Sequence, residues 1–415
     1  MGALHKVKTA VVLLRDEGIS GITTVVHEKF SLRWERFFHK VRGFLFRVHI
    51  LRVRPGCLPR ILFIVNTPEL QGGQTVRYRV FNIMEALDGK AEVSMAVLES
   101  GICLDDWQIA QADLIVLMRV FHIPELDLLF DKTEKMRIPT VFDIDDLIFL
   151  SEYYPGFCTT LNIQDEEEKK LYAEWFAKFH TIFHRCTFST ASTPFIAEKM
   201  SALKKAFVIH NGLNKEQLAI AEKLQVKKEP YSICYLSGSK SHDRDFAQVQ
   251  PAIERIMEEN DAVHFYVAGY LNESLSNRFA DRIVRLPYMP WQKLLAFNAK
   301  KSANHAPLDT ENPFCHAKSE LKYFEAALVG VPTVASPTDS FVKCIRSGEN
   351  GFLAESEEEW YQAIHTLLED QKLAIRMSDL AKQDVLERYA PQAIGKEAFA
   401  VYQNILKEAK TVFKK

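Results

Sequence analysis

From Arg60 onward, short apolar runs rich in β-forming residues alternate with amphipathic helical stretches, and the alternation occurs twice. The first series of runs falls at residues 60–66, 92–98, 112–120, 139–143, 187–191 and 207–210, with helical stretches such as 75–87 and 165–184 between them. Strands that alternate with helices pair in parallel, and both faces of such a sheet are covered. A polar, Lys/Glu-rich stretch at 211–229 reads as an interdomain connection. The second series occupies 231–236, 263–268, 282–286, 302–307, 333–336 and 351–354. A chain of 415 residues is too long for a single core. The pattern specifies an α/β protein with two Rossmann-like, doubly wound parallel-sheet domains facing each other across a cleft. The expected division is an N-terminal arm at 1–56, a first domain at 57–212, a second at 213–385, and a C-terminal helix at 386–415 crossing back to the first domain.

The arm differs in composition from the rest of the chain. Lys29, Arg33, Arg36, Lys40, Arg42, Arg47, Arg52 and Arg54 interleave with Phe30, Trp34, Phe37, Phe38, Phe44 and Phe46, and Glu35 alone opposes them. A basic helix with an aromatic face suits an anionic membrane surface; the other readings are a helix docked on the protein's own domain and a linker from a preceding domain. The net charge of −2 gives no global attraction to nucleic acid. Seven scattered cysteines without a Cys-x-x-Cys pair argue against a disulfide framework or a structural zinc site, and for a reducing compartment. With no signal peptide and no apolar run long enough to span a bilayer, the expected location is cytoplasmic, with peripheral attachment to the inner face of the plasma membrane through residues 29–54.

In parallel sheets of this kind ligands bind beyond the carboxyl ends of the strands, so loops after strands are the places to look for chemistry. After the first run comes Gly72-Gly73-Gln74, then a helix bearing Arg77 and Arg79. Paired glycines let a ligand approach backbone N–H groups at a positive helix end. Run 139–143 opens into Asp143-Ile144-Asp145-Asp146. Asp143 or Asp145 could hold an acceptor hydroxyl or take its proton. Asp145 or Asp146 could instead cap a helix, and an Asp-x-Asp-Asp can also bind a metal. Arg119 and His122 come after another run and belong to the same wall, His122 being either a catalytic group or a structural hydrogen-bond partner.

The second half is more specific. Gly238-Ser239-Lys240, with Arg244 just beyond, combines backbone access with positive charge, which suits a diphosphate. Further on, Lys318, Lys322 and Glu325 lie at helical spacings of four and three on one face. Ser319 and the free N–H groups near the helix start could hold phosphate. Glu325 is placed to accept both hydroxyls of a ribose. Gly330-Val331-Pro332-Thr333-Val334 closes this segment.

These residues resemble the GT-B glycosyltransferases, specifically the family-4-like group (group 1) that builds bacterial polysaccharides. Residues 318–336 are similar to the family's helix ending in Glu-Ala-x-x-x-Gly-x-Pro-Val. Val208-Ile209-His210-Asn211-Gly212-Leu213 resembles the segment that closes the family's first domain, and Gly238 with Arg244 resembles its phosphate loop. Two departures stand out: the family's first acidic residue of Glu-x7-Glu falls on Ala317, and its phosphate Arg falls on Ser239, with Lys240 the nearest substitute.

The resemblance implies transfer of a hexosyl or deoxyhexosyl group from a nucleotide-diphosphate sugar to a glycan or lipid-linked acceptor in O-antigen, capsule or rhamnan synthesis, beside other polysaccharide assembly enzymes. It implies no metal and no cofactor beyond that co-substrate. Gly238, Ser239, Lys240, Arg244, Met289, Asn312, Phe314, Lys318, Ser319, Lys322 and Glu325 are expected on the donor side. Gly72, Gly73, Gln74, Arg77, Arg79 and Arg119 are expected on the acceptor side, and Asp143, Asp145, His122, Arg244 and Lys318 in catalysis. An inverting reaction needs a base, Asp145 or Asp143, whereas a retaining one can pass the proton to the β-phosphate. The competing reading is a non-catalytic sugar-nucleotide-binding or scaffold module.

Overall fold

The computed structural model describes residues 58–66, 74–98, 104–238, 243–271 and 277–413. The arm at 29–54 and the site candidates Gly72, Gly73, Ser239 and Lys240 lie outside these. The remainder forms one compact unit beginning at Leu58.

Among the described residues twelve strands make two six-stranded sheets, parallel throughout. In the first, β1 (Arg60–Val65), β2 (Glu92–Val97), β3 (Leu114–Met118), β4 (Thr140–Ile144), β5 (Phe188–Ala191) and β6 (Ala206–Val208) are ordered β2-β1-β3-β4-β5-β6. In the second, β7 (Ser232–Ser237), β8 (His264–Gly269), β9 (Ile283–Leu286), β10 (Ala303–Ala306), β11 (Thr333–Ala335) and β12 (Phe352–Leu353) are ordered β12-β11-β10-β7-β8-β9. The doubled α/β architecture read from the alternating runs is the one observed. Helices on both faces explain why β1, β3 and β4 are apolar almost end to end rather than alternating.

Four helices position the site. The helix after β1, called α1, has segments Gln74–Val76, Arg77–Phe81 and Asn82–Ala86, the middle one wound as a π-turn. Wider turns of this type occur often at functional sites. Helix α2 (Lys215–Lys223) starts with a capping box, in which Asn214 and Gln217 exchange side-chain and backbone hydrogen bonds. Helix α3 (Leu321–Leu328) comes after β10. The last, α4 (Pro391–Val412), lies on the first sheet, where Ile394, Ala398, Tyr402 and Ile405 share an apolar cluster with Phe63 and Val80.

The approach of α4 to α1 depends on Gly395. A Cβ there would meet the Ala86 carbonyl oxygen at 2.0 Å, and backbone cannot give way as a side chain can. We expect Gly395→Ala to lower unfolding free energy by about 1–3 kcal/mol, the usual range for overpacking; urea denaturation measures it, and an unchanged midpoint would contradict this packing.

Candidate active site

Asp143 is the fourth residue of β4 and only 2% exposed. A carboxylate cannot remain there as a charge without partners. Arg79 supplies them: Nη2 and Nε donate to its two oxygens at 2.5 and 3.0 Å, and Thr190 Oγ1 donates at 2.6 Å. The rest of the Arg79 guanidinium goes to the Ile209 carbonyl and, at 3.2 Å, to Asn211 Oδ1. This corrects two expectations. Asp143 is consumed inside the first domain and offers no free oxygen to a substrate hydroxyl, and Arg79 is its buried counter-ion rather than an acceptor contact.

The next two carboxylates do reach the cleft side. Asp145 Oδ1 accepts from Arg119 Nη1 at 3.1 Å, and both side chains are just under one-fifth exposed. Arg119 also donates to Thr75 Oγ1 at the start of α1, at 3.3 Å. Its φ of 48° is uncommon for a non-glycine residue and marks a backbone held in place by its surroundings. Asp146 Oδ2 accepts from Lys318 Nζ at 2.8 Å, which joins the first domain to the loop before α3. Burial draws the Lys318 pKa down, but Asp146 outweighs it and holds the amine above its usual range, so Lys318 is a fixed positive charge. No helix starts at Asp145 or Asp146; Asp146 Oδ1 accepts the Leu147 N–H within a turn. Each of the three carboxylates therefore faces its own cation, an arrangement unlike a shared metal site. Among the described residues no group of His, Cys, Asp and Glu is set to hold a metal ion.

His122 turns elsewhere. Its Nε2 lies 3.1 Å from Asp127, which also pairs with Arg185 at 3.0 Å. That is the structural-partner reading of His122, and it is not drawn into the Asp145–Lys318 group.

The densest convergence is on Glu325. Its Oε1 accepts from Arg77 Nη2 at 3.0 Å, from Gln217 Nε2 at 3.3 Å, and from the Tyr78 hydroxyl. Gln217 Nε2 also donates to Tyr78 at 3.3 Å. The Arg77 guanidinium lies over the Tyr78 ring at 4.1 Å and the Trp291 ring at 4.7 Å, and its Nε donates to Gln74 Oε1 at 2.8 Å. Gln74 Nε2 in turn contacts the Tyr288 hydroxyl at 3.4 Å. Arg77 and Gln74, expected on the acceptor side, thus meet the second domain's nucleotide candidates. Tyr78, Gln217 and Trp291 escape a reading of the sequence alone. Tyr78 reads as an apolar position between two arginines, and only the capping pattern at Asn214–Gln217 hints at an ordered polar side chain there.

Other donor-side candidates divide between the cleft and the packing. Phe314 is 2% exposed and lies 5.5 Å from the Phe157 ring, inside the first domain's apolar cluster. Asn312 caps Phe314 through Oδ1 at 3.0 Å and donates to Thr160 Oγ1 at 2.8 Å and the Gly156 carbonyl at 3.2 Å. Both residues join the two domains instead of lining open space, correcting their place in the donor set. Ala317 is wholly buried in the same cluster. A glutamate at this position would force a charge into that core, so the departure from Glu-x7-Glu has a structural counterpart. Ser319 Oγ accepts from Asn211 at 2.9 Å.

Among the described residues nothing lies within 4 Å of where a Gly238 Cβ would project. Arg244 Nε donates to Asp309 Oδ2 at 2.8 Å and stays more than half exposed. Met289 is half-buried in the loop after β9. The Lys322 amine is buried over the Tyr235 ring at 4.2 Å with no hydrogen-bond partner among the described residues. Burial lowers its pKa to about 8 against the pull of Asp245 and Cys234.

Residues 233–370 match the family model described as glycosyl transferases group 1. HepE of Anabaena, solved with UDP and glucose, superposes with a TM-score of 0.57 at 13% identity, covering 83% of this chain and 100% of that one. Sucrose-phosphate synthase of Thermosynechococcus elongatus superposes with a TM-score of 0.55 at 14% identity, covering 84% of this chain and 100% of its own. No curated protein matches significantly by sequence. At these identities the solved structures establish the GT-B fold. The chain is thus a GT-B protein by fold, and residues 233–370 of its second domain match the group 1 glycosyl transferases.

Proposed function

We propose that this protein transfers a sugar from a nucleoside-diphosphate sugar to a growing glycan or lipid-linked acceptor in the synthesis of a bacterial surface polysaccharide. The observation that carries the reading is the pairing, inside the group 1 segment, of Glu325 on α3 with Lys318 just before it, both turned toward the first domain. A carboxylate suits the hydroxyls of a ribose, and a fixed amine suits a diphosphate. HepE, with the same fold, is solved with UDP, with UDP and glucose, and with UDP-glucose.

Glycosyl transfer builds positive charge at the anomeric centre and negative charge on the departing diphosphate. Lys318 and Arg244 are the cations we assign to the leaving group, with no metal required. Asp145, partly exposed beside Arg119, is the candidate base if the reaction inverts, since Asp143 is occupied by Arg79 and Thr190. Closing the domains over the donor would keep water from hydrolysing it.

Glu325→Ala is expected to weaken binding of the donor and of the free nucleoside diphosphate alike, by about tenfold or more; unchanged affinity in calorimetry would remove Glu325 from the nucleotide site. The described residues contain no helix long and apolar enough to cross a membrane. We assign membrane contact to the basic, aromatic arm, where each cation near an anionic surface contributes about 1 kcal/mol. Sedimentation with anionic liposomes should weaken at high salt and vanish when residues before Pro55 are deleted; liposome binding that survives the deletion contradicts this.

A further inference from the structure

Arg77 comes from the first domain, yet its guanidinium is committed to the second. It is 9% exposed, held between the Tyr78 and Trp291 rings, and fixed by hydrogen bonds from Nε to Gln74 and from Nη2 to Glu325. Its Nη1 is buried and has no hydrogen-bond partner among the described residues. A buried donor left unpaired is costly, and such a nitrogen in a native protein calls for an explanation. Glu325 shows the complementary asymmetry. Oε1 receives three donors, from Arg77, Tyr78 and Gln217, while no hydrogen bond reaches Oε2 among the described residues. The carboxylate is one-fifth exposed. An unused buried donor and an unused acceptor therefore belong to two side chains that are themselves hydrogen-bonded, one from each domain.

We infer that Arg77 is a nucleoside-binding residue: its Nη1 and Glu325 Oε2 together hold the ribose diol of the donor. The inference rests on the reading of Glu325 as the ribose carboxylate and adds a first-domain partner to it. A hydroxyl both donates and accepts, so a vicinal diol can donate to Oε2 and accept from Nη1 at once. Tyr78 and Gln217 act through Glu325 as positioning residues, holding Oε1 so that Oε2 keeps one direction. The geometry also makes the nucleoside site a product of both domains. Binding of the ribose then favours the arrangement in which Arg77 reaches Glu325.

The test compares UDP, GDP and ADP with their 2′,3′-dideoxy forms by calorimetry on the full-length protein, the Arg77→Lys and Arg77→Gln variants, and Glu325→Gln. The wild type should hold at least one of the three and bind its dideoxy form about tenfold or more weakly, as expected when buried partners lose their hydrogen bonds. Arg77→Lys should bring the ribose form close to the dideoxy affinity while leaving the dideoxy affinity unchanged, which also shows that the variant is folded. If both Arg77 variants weaken the two forms by the same factor, or neither form at all, while Glu325→Gln removes the discrimination, Arg77 is structural and the Glu325 reading stands. A wild type that holds none of the three, or does not discriminate, overturns the inference together with the reading beneath it.

Discussion

Lys318→Ala is expected to lower kcat at saturating donor by about tenfold or more, the scale at which removing one preorganised charge contact shows in turnover. Lys318 Nζ is 2.8 Å from Asp146 and 4.6 Å from the Phe314 ring, so the cation is held in place before substrate arrives. Removing it has two consequences. The leaving diphosphate loses a positive charge, and the Asp146 carboxylate is left facing the same region unpaired. Asp146→Asn in the Lys318→Ala background separates them. If Lys318 serves the leaving group, the double variant stays slow; if its task is only to neutralise Asp146, the double variant recovers. Full kcat in Lys318→Ala would take this residue out of the mechanism.

Arg79→Ala should cost about 3–5 kcal/mol of stability, because it leaves Asp143 charged and unpaired in the interior. The loss would be felt across the fold, since Arg79 on α1 ties the end of β4 to the Ile209 carbonyl and Asn211. Asp145→Asn provides the contrast. Its pair with Arg119 is partly solvated, and breaking it should cost no more than about 1 kcal/mol. If Asp145 is the base, its loss is seen in turnover, with the urea midpoint nearly unmoved. A large unfolding penalty in Asp145→Asn with none in Arg79→Ala would reverse the roles given to these neighbouring carboxylates.

Those neighbours show where legibility ends. The strands are readable because parallel, doubly covered strands are continuous apolar runs, a property of each segment by itself. Asp143, Asp145 and Asp146 look alike in sequence, and their fates depend on cations far along the chain: Arg79, Arg119 and Lys318. One clue is present. Asp143 falls between Phe142 and Ile144 inside an apolar strand, where a buried counter-ion is the usual solution. Resemblance picks out Lys318 and Glu325, although Lys318 lies before the helix that begins at Leu321. That Asp146 pairs with Lys318, and Arg77 and Tyr78 with Glu325, is not legible, since contacts across a cleft leave no periodic trace. Phe314 is expected on the donor side by resemblance, yet an aromatic ring there can equally plug the neighbouring core, as it does against Phe157.

We propose the Lys318–Glu325 region as a working donor site. The most direct measurement is release of nucleoside diphosphate from a panel of sugar nucleotides, with and without chelator, by the full-length protein and by Glu325→Ala. Turnover of at least one sugar nucleotide is expected to persist in chelator and to fall about tenfold or more in the variant. Release of diphosphate from none of them, or at an unchanged rate in Glu325→Ala, would contradict it.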